Sequence, residues 1–168
     1  MSVELIMNLG SDQMANQFVF SLPTGIPGGG NKEAVALRLD GSFDTPAFSL
    51  ATYDVNYRGI KVTKVSTKEE TEKTFSCDFR LDQQWEVYDS LVNWLKMVFD
   101  PDTLTGYPEE AIRTTALVQA YGRNNEIVKS IRFTGVVIKS LKISEFSQES
   151  SDPNKLTAEF AFAGMKVS

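Results

Sequence analysis

Residues 82–99, DQQWEVYDSLVNWLKMVF, constrain the fold more than any other stretch of the chain. Trp85, Tyr88, Leu91, Val92, Leu95, Val98 and Phe99 recur at the i, i+3, i+4, i+7 spacing of a helix with one buried face. Glu86, Asp89, Asn93 and Lys96 fall on the opposite face. Asp82 is expected as the N-cap, because its carboxylate can accept from the free amides of the first turn. Asp100-Pro101 ends the helix, since proline disfavours helical backbone in the residue before it. The helix aromatics are read as buried area and not as a cofactor box. On both sides of this segment the period drops to two, so the helix should pack on a sheet.

The strands are expected as follows. Asn16–Leu22 alternates and is the first. Residues 23–33, PTGIPGGGNKE, form a surface loop, because prolines and glycines cannot maintain a ladder. Ala34–Leu39 is the second strand, followed by a turn at Asp40-Gly41. In the stretch Phe48–Val65, Tyr53, Val55 and Tyr57 share one face, and Asp54, Asn56 and Arg58 share the other. Gly59 interrupts this run as a bulge or turn, and Ile60–Val65 alternates again. The charged residues 67–73 are expected at a hairpin tip. Thr74–Leu81 sets Phe75, Cys77, Phe79 and Leu81 on one face. Asp100–Arg113 is a long excursion of the sort that often contacts something, and Thr114–Tyr121 resumes extended structure. Two strands broken at Gly135 fill 126–144, and Leu156–Met165 closes the fold. About nine or ten strands with one helix make an α+β, mainly β protein: an antiparallel sandwich or barrel-like domain with a helix at about 82–99. The length of 168 residues fits one domain over 1–168, with a short arm or peripheral strand over 1–15.

Chemistry-bearing motifs are missing from this sequence. It has no histidine, the commonest general base and metal ligand, and one cysteine, Cys77, expected to be a packed core residue. No GxSxG, HExxH or Walker pattern occurs. Gly28-Gly29-Gly30 could cradle a phosphate, but no Lys-Ser/Thr follows at P-loop spacing and no helix start is evident. The net charge of −5 argues against a protein that grips phosphate backbones. No apolar run approaches the roughly 18 to 20 residues of a membrane span, and no signal peptide is evident, so a reducing, aqueous compartment is expected. No cofactor, metal or catalytic residue is expected.

Against this background the order of elements resembles a known family. Residues 55–96, VNYRGIKVTKVSTKEETEKTFSCDFRLDQQWEVYDSLVNWLK, resemble the tail tube proteins of contractile-tailed bacteriophages. There a strand with a glycine near its turn leads to a charged hairpin, an alternating strand and a helix ending in an aromatic, here Trp94. NQFVFSL resembles the family's first strand, and IRFTGVVIKSLKISEFSQESSDPNKLTAEFAFAGMKV its close. The chain departs from the pattern at Ile138, where the family often has proline, and at Met165-Lys166, where it often ends in an aromatic-acidic pair. The resemblance covers about residues 16–166 and implies a structural virion protein: hexameric rings stacked into a tube whose β-barrel lumen conducts DNA at ejection. It implies tail sheath, baseplate and tape-measure proteins as partners, no membrane, and a place in the virion tail after synthesis in the host cytoplasm. On that reading Thr52, Asp54, Asn56, Thr74, Ser76 and Asp78 face the lumen, with the alternate residues forming core beneath. An acidic wall would keep DNA sliding. The alternatives are the tube of a bacteriocin or type VI-like secretion apparatus, and a monomeric β-sandwich ligand-binding module using Tyr53, Tyr57 and Tyr107.

Overall fold

Alternation in β5 (Thr74–Arg80) buries Phe75, Cys77 and Phe79 and leaves Thr74, Ser76, Asp78 and Arg80 on the open side. The computed structural model describes residues 16–149 and 151–168; the arm expected over 1–15 lies outside the described residues. β5 is inserted between β2 (Leu39–Asp44) and β8 (Lys155–Ala161), antiparallel to both. The full path is β1 (Phe18–Ser21), β6 (Thr114–Tyr121), β7 (Ile127–Ile143), β8, β5, β2, with β9 (Gly164–Val167) beside β7. This antiparallel sheet curls into a half-barrel, and the protein is mainly β with few helices, as expected.

Inside the curl lies an aromatic core. Phe75 stacks on Phe160 at 5.2 Å and meets Phe133 at 4.7 Å, while Phe133 meets Phe162 edge-on at 5.0 Å. The helix α2 (Glu86–Val98) covers it with Val87, Leu91 and Trp94, all fully buried. Trp94 contacts Phe160 at 5.6 Å, and its indole N–H donates to the carbonyl of Ile112 at 2.7 Å. The expected polar face (Glu86, Asp89, Asn93, Lys96) is the exposed one. The buried face is centred on Val87, Ser90, Leu91 and Trp94; Trp85, Tyr88 and Leu95 are only half-buried at its margin.

Several expectations are corrected. The N-cap of α2 is Trp85, in the left-handed region at φ 56°; Asp82 lies three residues earlier, although its carboxylate does accept from the amide of Glu86 at 3.0 Å. Of the segment expected as a second strand, Ala34–Leu37 belongs to helix α1 (Lys32–Leu37), Arg38 caps it and Leu39 opens β2. The helix is begun by Asn31, whose Oδ1 accepts from Ala34 N at 3.1 Å. KEAVAL is rich in helix formers, and a cap directly after Gly30 supplies the helix start. Asp40-Gly41 lies within β2 and makes no turn. The glycine loop is a packed strap: a Cβ on Gly30 would stand 2.7 Å from Ser90 Cβ, and Ile26 is buried. The excursion after α2 contains a short helix, α3 (Glu109–Ile112). Residues 126–144 hold one continuous strand, β7, which exchanges its partner β9 for β8 around Gly135 at φ 64°. Only glycine takes that angle freely, so the strand bends without ending. The last strand, in contrast, is two, because Phe162 and Ala163 separate β8 from β9.

Candidate functional site

β3 (Leu50–Tyr57) and β4 (Ile60–Glu69) form a separate two-stranded sheet that hydrogen-bonds to no other strand among the described residues. Their turn is Arg58-Gly59, at φ 50° and 86°, the paired left-handed geometry of a tight hairpin whose twist matches its arms. The hairpin tip is therefore here. The charge run 67–73 is the end of β4 and the connection to β5.

Register places Tyr57 opposite Ile60, Val55 opposite Val62 and Tyr53 opposite Lys64, so one face is an apolar stripe. Sequence reasoning put that stripe in the core, and it is not there. Tyr53 and Tyr57 are half-exposed, and Ile60 is 68% exposed. The other face is polar. Asp54 accepts from Lys61 Nζ at 3.0 Å and Thr63 Oγ1 at 2.8 Å, and these two donors, Lys61 first, hold its carboxyl below the ordinary value.

The six residues expected to face a lumen divide between two sheets. Thr52, Asp54 and Asn56 are exposed on the hairpin. Thr74, Ser76 and Asp78 are half-buried on the open face of the large sheet, where Asp78 accepts from Thr157 Oγ1 at 2.8 Å. On that face opposite charges neighbour one another: Lys139 pairs with Glu159 at 3.2 Å, and Lys155 with Asp40 at 3.6 Å. Cys77 points the other way, into the core, where burial pushes its thiol well up, away from the thiolate. Among the described residues, no group of His, Cys, Asp or Glu converges to hold a metal ion, and no helix is long and apolar enough to cross a membrane.

Sequence reasoning offered Tyr53, Tyr57 and Tyr107 as exposed aromatics only under the binding-module alternative, and it missed the exposure of Ile60, Val65 and Leu104. The one signal was Arg58-Gly59, which marks a tight hairpin but says nothing of what covers it.

No protein-family model and no curated protein matches the sequence. Solved structures do match. A chain of the sheath/tube terminator structure of an extracellular contractile injection system, PVC in the extended state, superposes with a TM-score of 0.66 at 10% identity. The match covers 95% of this chain and 99% of that one. A chain of the anti-feeding prophage tube-terminating cap superposes at 0.68 with 8% identity, covering 95% and 93%. A chain of the PVC sheath-tube complex superposes at 0.64 with 12% identity, covering 100% and 98%. The fold is that of contractile-injection tube components. In this fold the large sheet and α2 form the body, and the hairpin is the element left uncovered by the other described residues.

Proposed function

We propose that this chain is a structural subunit of the tube of a contractile injection machine. It assembles with copies of itself into stacked hexameric rings, enclosed by a sheath and seated on a baseplate. The observation that carries this reading is the β3–β4 hairpin. A lone two-stranded hairpin is marginal in water, and this one exposes Leu50, Tyr53, Tyr57, Ile60, Val62 and Val65. A neighbouring subunit would bury them. The outer edges of β1 and β2 pair with no described strand, and ring formation would complete such edges by β-augmentation.

The open face of the large sheet, with Thr74, Ser76 and Asp78, then lines the lumen together with Thr52, Asp54 and Asn56 on the polar face of the hairpin. The role is architectural and not catalytic, and the assembled particle is where the chain acts. The solved structures of the same fold come from extracellular injection systems and a prophage-type particle, which favours an injection machine. A phage tail tube that holds a tape-measure protein and then conducts DNA is the second reading. Its support is the paired charge on the open face, which offers phosphates no continuous cationic track.

Negative-stain microscopy with sedimentation of the purified protein tests the proposal. Rings or tubes with a central pore are expected, and dispersed monomers at every concentration would sink it.

A further inference from the structure

The exposed hairpin and the segment after α2 are both apolar at the surface and opposite in charge. Residues 50–69 carry Arg58, Lys61, Lys64 and Lys68 against Asp54 and Glu69, in a chain whose net charge is −5. Lys61 is committed to Asp54. Among the described residues, Arg58, Lys64 and Lys68 have no carboxylate within ion-pair distance. Lys64 lies on the apolar stripe itself, its Nζ 5.4 Å from the centre of the Tyr57 ring.

Residues 99–113 reverse that sign: Asp100, Asp102, Glu109 and Glu110 stand against Arg113, which Glu109 holds at 3.1 Å. The stretch is closely pinned. Asp100 N donates to Thr105 O at 2.9 Å, Asp102 N to Asp100 Oδ1 at 3.0 Å, and Tyr107 N to Met97 O at 2.9 Å. A Cβ on Gly106 would stand 2.6 Å from the carbonyl oxygen of Val98, so the loop is pressed onto the end of α2. So fixed, it turns Phe99, Leu104 and Tyr107 outward, Leu104 with 75% of its surface exposed. Leu104 also sits at φ 54°, a left-handed conformation that is costly for a residue with a Cβ and free for glycine. A strained, apolar side chain that is three-quarters exposed buries little in the lone subunit, whereas a docking knob requires one.

We propose that the basic, apolar stripe of the hairpin docks on the acidic 99–113 loop of a second copy of this chain, with Leu104 as the central apolar contact. The contact rests on the tube reading above. It joins two different patches, so it is heterologous and propagates from copy to copy, as a ring or stack requires. Leu104, Tyr57 and Ile60 supply the buried area, while the rim charges steer encounter and fix register. The other acidic segment, 145–152, is a poorer receiver, because it offers one apolar side chain, Phe146, stacked on Trp85 at 6.5 Å and 13°, where 99–113 presents Phe99, Leu104 and Tyr107.

A charge swap tests the pairing. Three variants are compared with wild type by sedimentation velocity and microscopy at low salt: Arg58→Glu with Lys64→Glu, Asp102→Lys with Glu110→Lys, and all four together. Each pair should reduce assembly about tenfold or more, and the four-site variant should recover it. Leu104→Gly should also weaken assembly while the subunit melts at the same or a higher temperature, which separates docking from a structural role. Undiminished assembly in the loop variant, or a four-site variant no better than either pair, overturns the contact alone. So does Glu145→Lys with Glu149→Lys, if that pair blocks assembly and the hairpin reversal rescues it. A wild-type protein that never assembles defeats the tube reading and the contact with it.

Discussion

β5 and the β3–β4 hairpin are written in the same alternating code, and the structure treats them oppositely. In β5, Phe75, Cys77 and Phe79 are covered by the curl of the sheet and by α2. In the hairpin, Tyr53 and Tyr57 alternate as regularly, yet both of its faces see solvent. Alternation encodes a strand with two unlike faces. Whether the apolar face is closed by the same chain or by another depends on what lies opposite it. For β5 that is Phe133 and Phe20 across the curl, with the helix residues Val87, Leu91 and Trp94 in the same core; for the hairpin nothing in the described chain lies there.

Four measurements would break or sharpen this contrast. The largest effect belongs to the covered region: Trp94→Ala removes a fully buried indole and its hydrogen bond to Ile112 O, and should cost about 3–5 kcal/mol in a urea melt. A loss below about 1 kcal/mol would mean that the helix face does not close the core. Gly30→Ala comes next. It drives a methyl group to within 2.7 Å of Ser90 Cβ, and overpacking of this kind costs about 1–3 kcal/mol. An unchanged melt would show that the strap simply lifts away.

In the uncovered region the sign of the test changes. Tyr57→Ser with Ile60→Ser should leave monomer stability within about 0.5 kcal/mol, because no core contact is lost, while assembly fails. Equal loss in both assays would place the stripe in the fold and not at a surface. The smallest effect is electrostatic. The Asp54 carboxyl is held below its ordinary value of 3.8 by Lys61 and Thr63. A depressed carboxyl stabilises the folded form above its unfolded value, and that contribution fades as pH falls through the lower folded value. The hairpin tip should therefore keep its order down to about pH 4 and loosen only in stronger acid. An NMR titration of Asp54 with a midpoint at or above the ordinary value would remove the ion pair from the account.

The same contrast explains how much was legible in the sequence. β5, β6 and the exposed face of α2 were readable because one period was satisfied over a full element. The buried face of α2 was read off-centre. Leu91 is in the core as expected and Tyr88, Leu95 and Val98 pack against it, but Trp94 and Val87 close the core, whereas Trp85 turns into the cap and stacks at the surface on Phe146. AVALRL satisfies both a two-residue and a helical period, and Asn31 with the helix formers after it decided the matter in favour of α1. At Gly135 the break in pattern was read as an end, when the residue only lets the strand change partners. The candidate surface was least legible, since alternation carries no record of an absent neighbour.

That partner exchange has a mechanical consequence. β7 runs for 17 residues and is flanked by β6, β9 and β8 in turn along its length. Antiparallel hydrogen bonds lie perpendicular to the strand. A pull along β7 therefore loads many of them together in shear, whereas a pull across a strand end peels them one at a time. Among the described residues the β3–β4 hairpin shares no ladder with the large sheet, so it lacks that bracing. Under a sudden load along β7 the half-barrel would move as a stiff plate, and what flexing there is would concentrate at the roots of the hairpin, near Ser49 and Glu70.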